Sequence, residues 1–195
     1  MAASAVVASI RAEFLRYRAL AEGALRQVSD AELSAPGPDA ANSLAVICWH
    51  ISGNLQSRFT DFLTTDGEKP WRRRDEEFAA RKVTHAELQA KWEAGWNTLL
   101  RALEELDDTH LDHAVIIRGQ PLSVIEALHR ALAHCSYHVG QIVYVAKAFR
   151  GDQWSSLSIP LGQSEAYNRQ ATMEHAADHV KVVAGQAAEK TNHEA

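Results

Sequence analysis

Residues 123–149 read SVIEALHRALAHCSYHVGQIVYVAKAF, with apolar side chains at Ile125, Leu128, Leu132, Cys135, Val139, Ile142, Val143 and Ala146. Steps of three and four residues place these on one face of a helix. Ser123 and Glu126 have the spacing of a capping box, in which each side chain satisfies a backbone donor of the other. Pro121 is expected to set a helical dihedral near the start, and Gly151 falls where a C-terminal turn belongs. The run also carries His134 and His138, four residues apart. That spacing advances a helix by about 6 Å and little more than one turn, so both imidazoles leave the same side.

Three further segments share this period. The first, about Ser4 to Val28, presents Val7, Ile10, Phe14, Tyr17, Ala21, Ala24, Leu25 and Val28. The stretch SAPGPDAAN then stops it, because Pro36 and Pro38 withdraw backbone donors. Asn42 is the expected N-cap of the second helix, which is read to about Phe62 through Leu44, Ile47, Cys48, Ile51, Leu55 and Phe59. A charged, aperiodic connection, TTDGEKPWRRRDEEF, follows, with room for a short helical turn. Thr84 and Glu87 form a second capping box before a third helix to about Leu106, through Leu88, Trp92, Trp96, Leu99 and Leu103. Asp107 to Gln120 is a connection whose HAVIIRG segment has extended character. Beyond the fourth helix, WSSLSIPLGQSEAYN is expected to pack back on the bundle, and Gln170 to Gly185 reads as an alanine-rich final helix.

Four long amphipathic helices make an all-α four-helix bundle, expected over residues 1–168, with 169–195 as a C-terminal helical extension and frayed tail. The long link between helices two and three favours an up-down-down-up course. The chain has 195 residues, 46% hydrophobic and 23% charged, the profile of a soluble globular protein. A net charge of −5 argues against a nucleic-acid partner, which needs a cationic surface. The dense basic cluster Arg72-Arg73-Arg74 is followed at once by Asp75, Glu76 and Glu77 and reads as a solvated loop or helix start. No apolar run reaches the roughly 20 residues that cross a bilayer, and the first residues gain charge too early for a secretion signal. Cys48 and Cys135 read as buried free thiols, so the cytoplasm is the expected location.

His50 gives the HxxxH pair its meaning. If helices two and four are antiparallel, His50 and His138 stand at nearly the same depth, with His134 one turn away. Three neutral imidazoles there make part of a metal shell that water or substrate can complete. The alternative, three hydrogen-bonded core histidines, requires a partner for each buried ring. Around them, Asn54, Tyr137 and Gln141 are candidates to orient imidazoles or the reacting group, and Tyr144 is a further phenol. Arg58 is expected to pair with Asp61, or with an anionic group of a substrate. No carboxylate has an obvious place beside the histidines. His175 and His179 repeat the spacing without a third ligand and read as exposed, whereas His85, His110, His113 and His129 read as surface or capping residues.

The stretches LAVICWHISGNLQSRFTDFLTTDGEKPWRRRDEEF, ALAHCSYHVGQIVYVAKAFRGDQW and SLSIPLGQSEAYN together resemble the DinB-like superfamily, and within it the DUF1572 group. The resemblance implies an up-down-down-up bundle with a divalent metal, zinc or nickel first, held by His50, His134 and His138. It also implies a homodimer and a small-molecule substrate. Relatives in the superfamily include thiol S-transferases using bacillithiol or mycothiol and a mycothiol-dependent maleylpyruvate isomerase. The expected function is therefore a metal-dependent, thiol S-transferase-like enzyme with a low-molecular-weight thiol as cosubstrate. The alternatives are a metal-dependent hydrolase and a non-catalytic metal-containing binding or stress-response protein.

Overall fold

Ser29, Ser43, Thr84 and Ser123 each accept a hydrogen bond from the backbone N–H three residues on, satisfying a donor that the first helical turn leaves unpaired. In three of the four, the residue at that third position is a glutamate that returns the bond: Glu32, Glu87 and Glu126. The computed structural model describes residues 5–169. Its helices are α1 (Ala5–Leu25), α2 (Asp30–Ser34), α3 (Leu44–Phe59), α4 (Arg74–Glu77), α5 (His85–Glu104), α6 (Val124–Arg150) and α7 (Ser164–Arg169). A hairpin of β1 (Ala114–Ile117) and β2 (Gln120–Ser123) stands between α5 and α6.

The four long helices α1, α3, α5 and α6 bury the expected faces. All seven apolar residues read along the second segment are buried, as are the five along the third. Phe14 of α1 meets Trp96 of α5 edge-on at 6.3 Å, and Trp92 lies 5.4 Å from Trp96. Burying each such side chain contributes about 1.5–3 kcal/mol. The closest pairs are α1 with α6 and α3 with α5. At one end, Asp108 accepts from the N–H groups of Val6 and Val7 at 3.1 and 3.0 Å. At the other, His85 Nε2 approaches Leu25 O at 3.2 Å, and Gln27 exchanges two hydrogen bonds with Ser155. No helix among the described residues is long and apolar enough to cross a membrane.

Several boundaries differ from the sequence reading. Ser43, not Asn42, caps α3, and the helix ends at Phe59, where Thr60 turns extended (ψ 124°) and Asp61 follows with a positive φ of 48°. Arg58 therefore has no helical neighbour at position 61 and pairs with Glu68 instead. Pro121 sits in β2 opposite Ile116, where a two-stranded ribbon has a free edge for a residue without an N–H. The HAVIIRG segment is the first arm of the hairpin. Its turn has positive φ at both Arg118 (55°) and Gly119 (70°), the backbone of a tight hairpin whose twist matches its strands. Asp66 holds that turn, accepting from Arg118 N at 2.8 Å and Gly119 N at 2.7 Å. The segment after α6 does return to the bundle: Leu157 packs on the core beside Gly23. The expected helix over Gln170 to Gly185 lies outside the described residues, as do His175 and His179.

The contact between α3 and α5 depends on Gly95, where an added Cβ would stand 2.6 Å from Ser52 Cα. Gly95→Ala gains about 1 kcal/mol of helix propensity. It meets backbone, however, so the helices must separate, at a cost of about 1–3 kcal/mol or more. The expected outcome is net destabilisation, read as a lower denaturant midpoint with unchanged slope; a midpoint raised by the substitution would show that the helices yield freely.

Candidate metal centre

His50 on α3 and the pair His134 and His138 on α6 meet, as their spacing requires. Their ring centroids are 5.1 Å (His50–His134), 4.8 Å (His50–His138) and 4.5 Å (His134–His138) apart. One nitrogen from each lies within 4.8 Å of the others, so the cluster can hold a metal ion. His50 Nε2 and His134 Nε2 are 3.2 Å apart. Two imidazole nitrogens sharing a cation at about 2.0–2.1 Å stand about 3.0–3.4 Å from each other. That is the observed spacing.

The other ring nitrogens explain why the cluster faces inward. His50 Nδ1 donates to Glu77 Oε2 at 2.8 Å, and His138 Nδ1 donates to Gln141 Oε1 at 2.7 Å. A proton fixed on Nδ1 leaves a lone pair on Nε2, the tautomer a metal ligand needs. His134 Nδ1 is buried without a partner, and the contact that positions this ring is the 3.2 Å approach of its Nε2 to His50 Nε2. Burial first, then the neighbouring His138, His50, Arg72 and Arg58, push its pKa down to about 3. Burial also lowers that of His138, against the opposing effect of Gln141. Both rings are neutral near pH 7, as ligands must be.

Glu77 corrects the expectation that no carboxylate stands beside the histidines. It comes from α4, and it is 8% exposed. Arg72 grips it with two hydrogen bonds, Nε to Oε1 at 2.8 Å and one terminal nitrogen to Oε2 at 2.9 Å. Burial raises the carboxyl's pKa, but the bonds from His50 and Arg72 outweigh it and keep Glu77 ionised. The basic cluster does open a short helix, α4, but it is divided, and Arg72 departs from the solvated reading. The Arg72 side chain is only 2% exposed, while those of Arg73 and Arg74 are 77% and 51% exposed. Sequence pattern missed Glu77 because it lies 27 residues from His50 in an aperiodic segment; the available cue is Gly53, one turn beyond His50. A Cβ there would come within 2.2 Å of Glu77 Oε1.

Asn54 lines a cavity of about 180 Å³ that opens beside His50 and His134. Gln141 Oε1 lies 2.7 Å from His138 Nδ1. Tyr137 touches the edge of His138 at 4.9 Å, yet it and Tyr144 are each 64% exposed and neither lines the cavity. Cys48 and Cys135 are free and buried, and burial raises both thiols, Cys135 to about 12. His85 pairs with Asp30 and His110 caps with Asp107, both at the surface.

Removing either outer hydrogen bond is expected to weaken metal binding by about 10–100-fold. Glu77→Gln should also cost about 3–5 kcal/mol of stability by stranding the buried Arg72 guanidinium. Gln141→Leu should lower affinity without that loss. Titration against a competing chelator reads both, and wild-type affinity in the two variants would show that these bonds do not organise the ligands.

No curated protein and no solved structure matches the chain. The family model described as "Protein of unknown function (DUF1572)" matches residues 2–163, consistent with the DinB-like superfamily. The chain belongs to the DUF1572 family.

Proposed function

We propose that the protein is a metal-dependent enzyme of thiol S-transferase type. In this reading His50, His134 and His138 hold one divalent cation, zinc or nickel, and an electrophilic small molecule is joined to a low-molecular-weight thiol. The observation that carries it is the set of three converging imidazoles, two of them oriented by hydrogen bonds at Nδ1, beside a cavity lined by His50 and His134. A cation bound by these three histidines would supply the charge that lowers the pKa of a thiol. The chain's own groups do the rest. Glu77 and Gln141 keep two rings aimed, and the Asn54 side chain borders the space where sulfur and electrophile meet. With a haloaromatic electrophile, the S–C bond forms as the carbon–halogen bond breaks; halide leaves, and the thiol proton passes to solvent.

Hydrolysis is the weaker alternative, although a carboxylate is present after all. Both oxygens of Glu77 are taken, Oε1 by Arg72 and Oε2 by His50 and Arg72, so neither is free to remove a proton from water. Tyr137 and Tyr144, exposed two turns apart on one side of α6, support a homodimer. The contacts joining the two ends of α1 to opposite ends of α5 support the up-down-down-up course. Buried free thiols support a cytoplasmic setting.

Metal-loaded protein is expected to conjugate a haloaromatic compound with a low-molecular-weight thiol above the uncatalysed rate. His134→Ala should abolish both the bound metal, counted by elemental analysis of untagged protein, and the conjugation. Turnover of ester or lactone panels without thiol would favour hydrolysis. No turnover across thiols with zinc, nickel and manganese would leave a non-catalytic binding protein.

A further inference from the structure

Five guanidinium side chains, Arg58, Arg72, Arg74, Arg118 and Arg130, line the cavity beside the histidines, and no acidic residue lines it. The chain as a whole carries −5, so this is a local concentration of positive charge against an acidic background. It is assembled from separate parts of the sequence: α3, the connection into α4, the hairpin turn and α6.

The partners of these arginines show what remains unmatched. Arg72 is committed to Glu77. Arg58 and Arg118 share one carboxylate, that of Glu68, at 3.3 and 2.7 Å. Arg74 lies over the Phe78 ring at 4.9 Å and reaches only Asp75, a fully exposed side chain 3.6 Å away. Arg130 has no carboxylate partner among the described residues. These five guanidiniums thus have three carboxylate ion-pair partners, Glu77, Glu68 and the solvent-screened Asp75, with Asp66 a fourth nearby carboxylate engaged by the N–H groups of Arg118 and Gly119. Arg130 is left without one among the described residues.

Two features argue that this is a binding surface. Arg118 is held in place: its backbone has a positive φ, and Asp66 binds its N–H while Glu68 binds its Nε. Arg130 precedes His134 by four residues on α6, so it projects from the same face one turn away. Phe59, Phe62 and Ile117 supply an apolar wall to the same space. A concave, one-signed site with apolar walls concentrates and orients small ions of the opposite sign.

We propose that this cavity binds the acidic end of the substrate, a small dianion with an apolar portion, through Arg74, Arg130 and the shared Arg58–Arg118 pair. Planar guanidiniums match either a dicarboxylate or a phosphate monoester, and the apolar wall takes the hydrocarbon or aromatic part. The assignment names the substrate class for the transferase reading and rests on it for the chemistry at the histidine end. The anion site itself is built from arginines and does not require a cation on the histidines.

Calorimetric titration of metal-loaded protein with phthalate, phenyl phosphate and uncharged benzamide tests it. At least one dianion should bind about tenfold or more tightly than benzamide, and less tightly as salt rises. Arg74→Gln and Arg130→Gln, both at exposed side chains, should each weaken that binding about fivefold or more, with unchanged thermal melting. Arg16→Gln, whose partner is Glu13 on α1, should leave it unchanged. Phthalate against phenyl phosphate separates the carboxylate source from the phosphate source. Dianion binding should persist in chelator-stripped protein. If it does so while no thiol conjugation is found, the transferase reading fails and the anion site stands. Equal binding of dianions and benzamide would overturn the proposal. So would dianion binding that is lost with the metal and indifferent to Arg130→Gln.

Discussion

A hydrogen bond of 2.8 Å from His50 Nδ1 to Glu77 Oε2 ties the histidine cluster to the segment that closes over it, a segment also fastened to α3 where Ser57 and Arg58 donate to Gly67 O. His50 and Glu77 are both buried, and a carboxylate in such a place is tolerated only with its charge and lone pairs answered. Arg72 answers them from five residues away, through two parallel bonds. The irregular chain between α3 and α5 is therefore pinned at its centre by an ion pair. In return, that ion pair decides which way a ring on α3 points. The arrangement couples local chain order to the chemistry of the site, because the interaction that settles the connection also settles the tautomer.

The same economy appears in the electrostatics. Imidazoles are useful ligands only when neutral, and a carboxylate brought close to them would ordinarily favour their protonation. Here Glu77 serves His50 alone and is itself countered by Arg72, while the rings of α6 face burial and positive neighbours. His134 is held neutral by that setting, with Arg72 and Arg58 both contributing. Positive charge around the cavity and a neutral His134 at its base are then consistent with each other: guanidiniums that attract an anion also discourage a proton on that ring.

Much of this was legible in the sequence where period and spacing govern. The capping boxes at Thr84–Glu87 and Ser123–Glu126 mark real helix starts, because they depend only on residues three apart. His50, His134 and His138 could be brought to one depth by counting residues along two antiparallel helices. Where contacts come from outside a periodic element, counting has nothing to act on. Glu77 reaches His50 through a four-residue helix in a charged stretch, and Arg118 reaches the cavity from a two-residue turn. Arg72, Arg73 and Arg74 are chemically identical in the sequence and differ only in the direction each leaves the chain, which tertiary packing alone sets. Tyr137, adjacent to His138, turned outward because neighbouring helical positions differ by about 100°.

Glycine makes the remaining link between backbone and site. Gly95 lets α5 lie against Ser52 on one side of α3, while Gly53, the very next residue, gives Glu77 its place on another. A methyl group at 53 would occupy the position of the carboxylate itself, 2.2 Å from Oε1, and no rotamer of alanine can relieve that. Helix propensity disfavours glycine here by about 1 kcal/mol relative to alanine. The conformational penalty is outweighed by what it permits: a charged side chain lying flat against a helix, one turn beyond the histidine it must hold. On α3, His50, Gly53, Asn54 and Arg58 follow at steps of three, one and four residues, so ligand, carboxylate cradle, cavity amide and guanidinium are consecutive parts of one helical surface. The helix that forms the core on one face thereby carries the site on the other, and the two requirements meet at the consecutive pair Ser52 and Gly53.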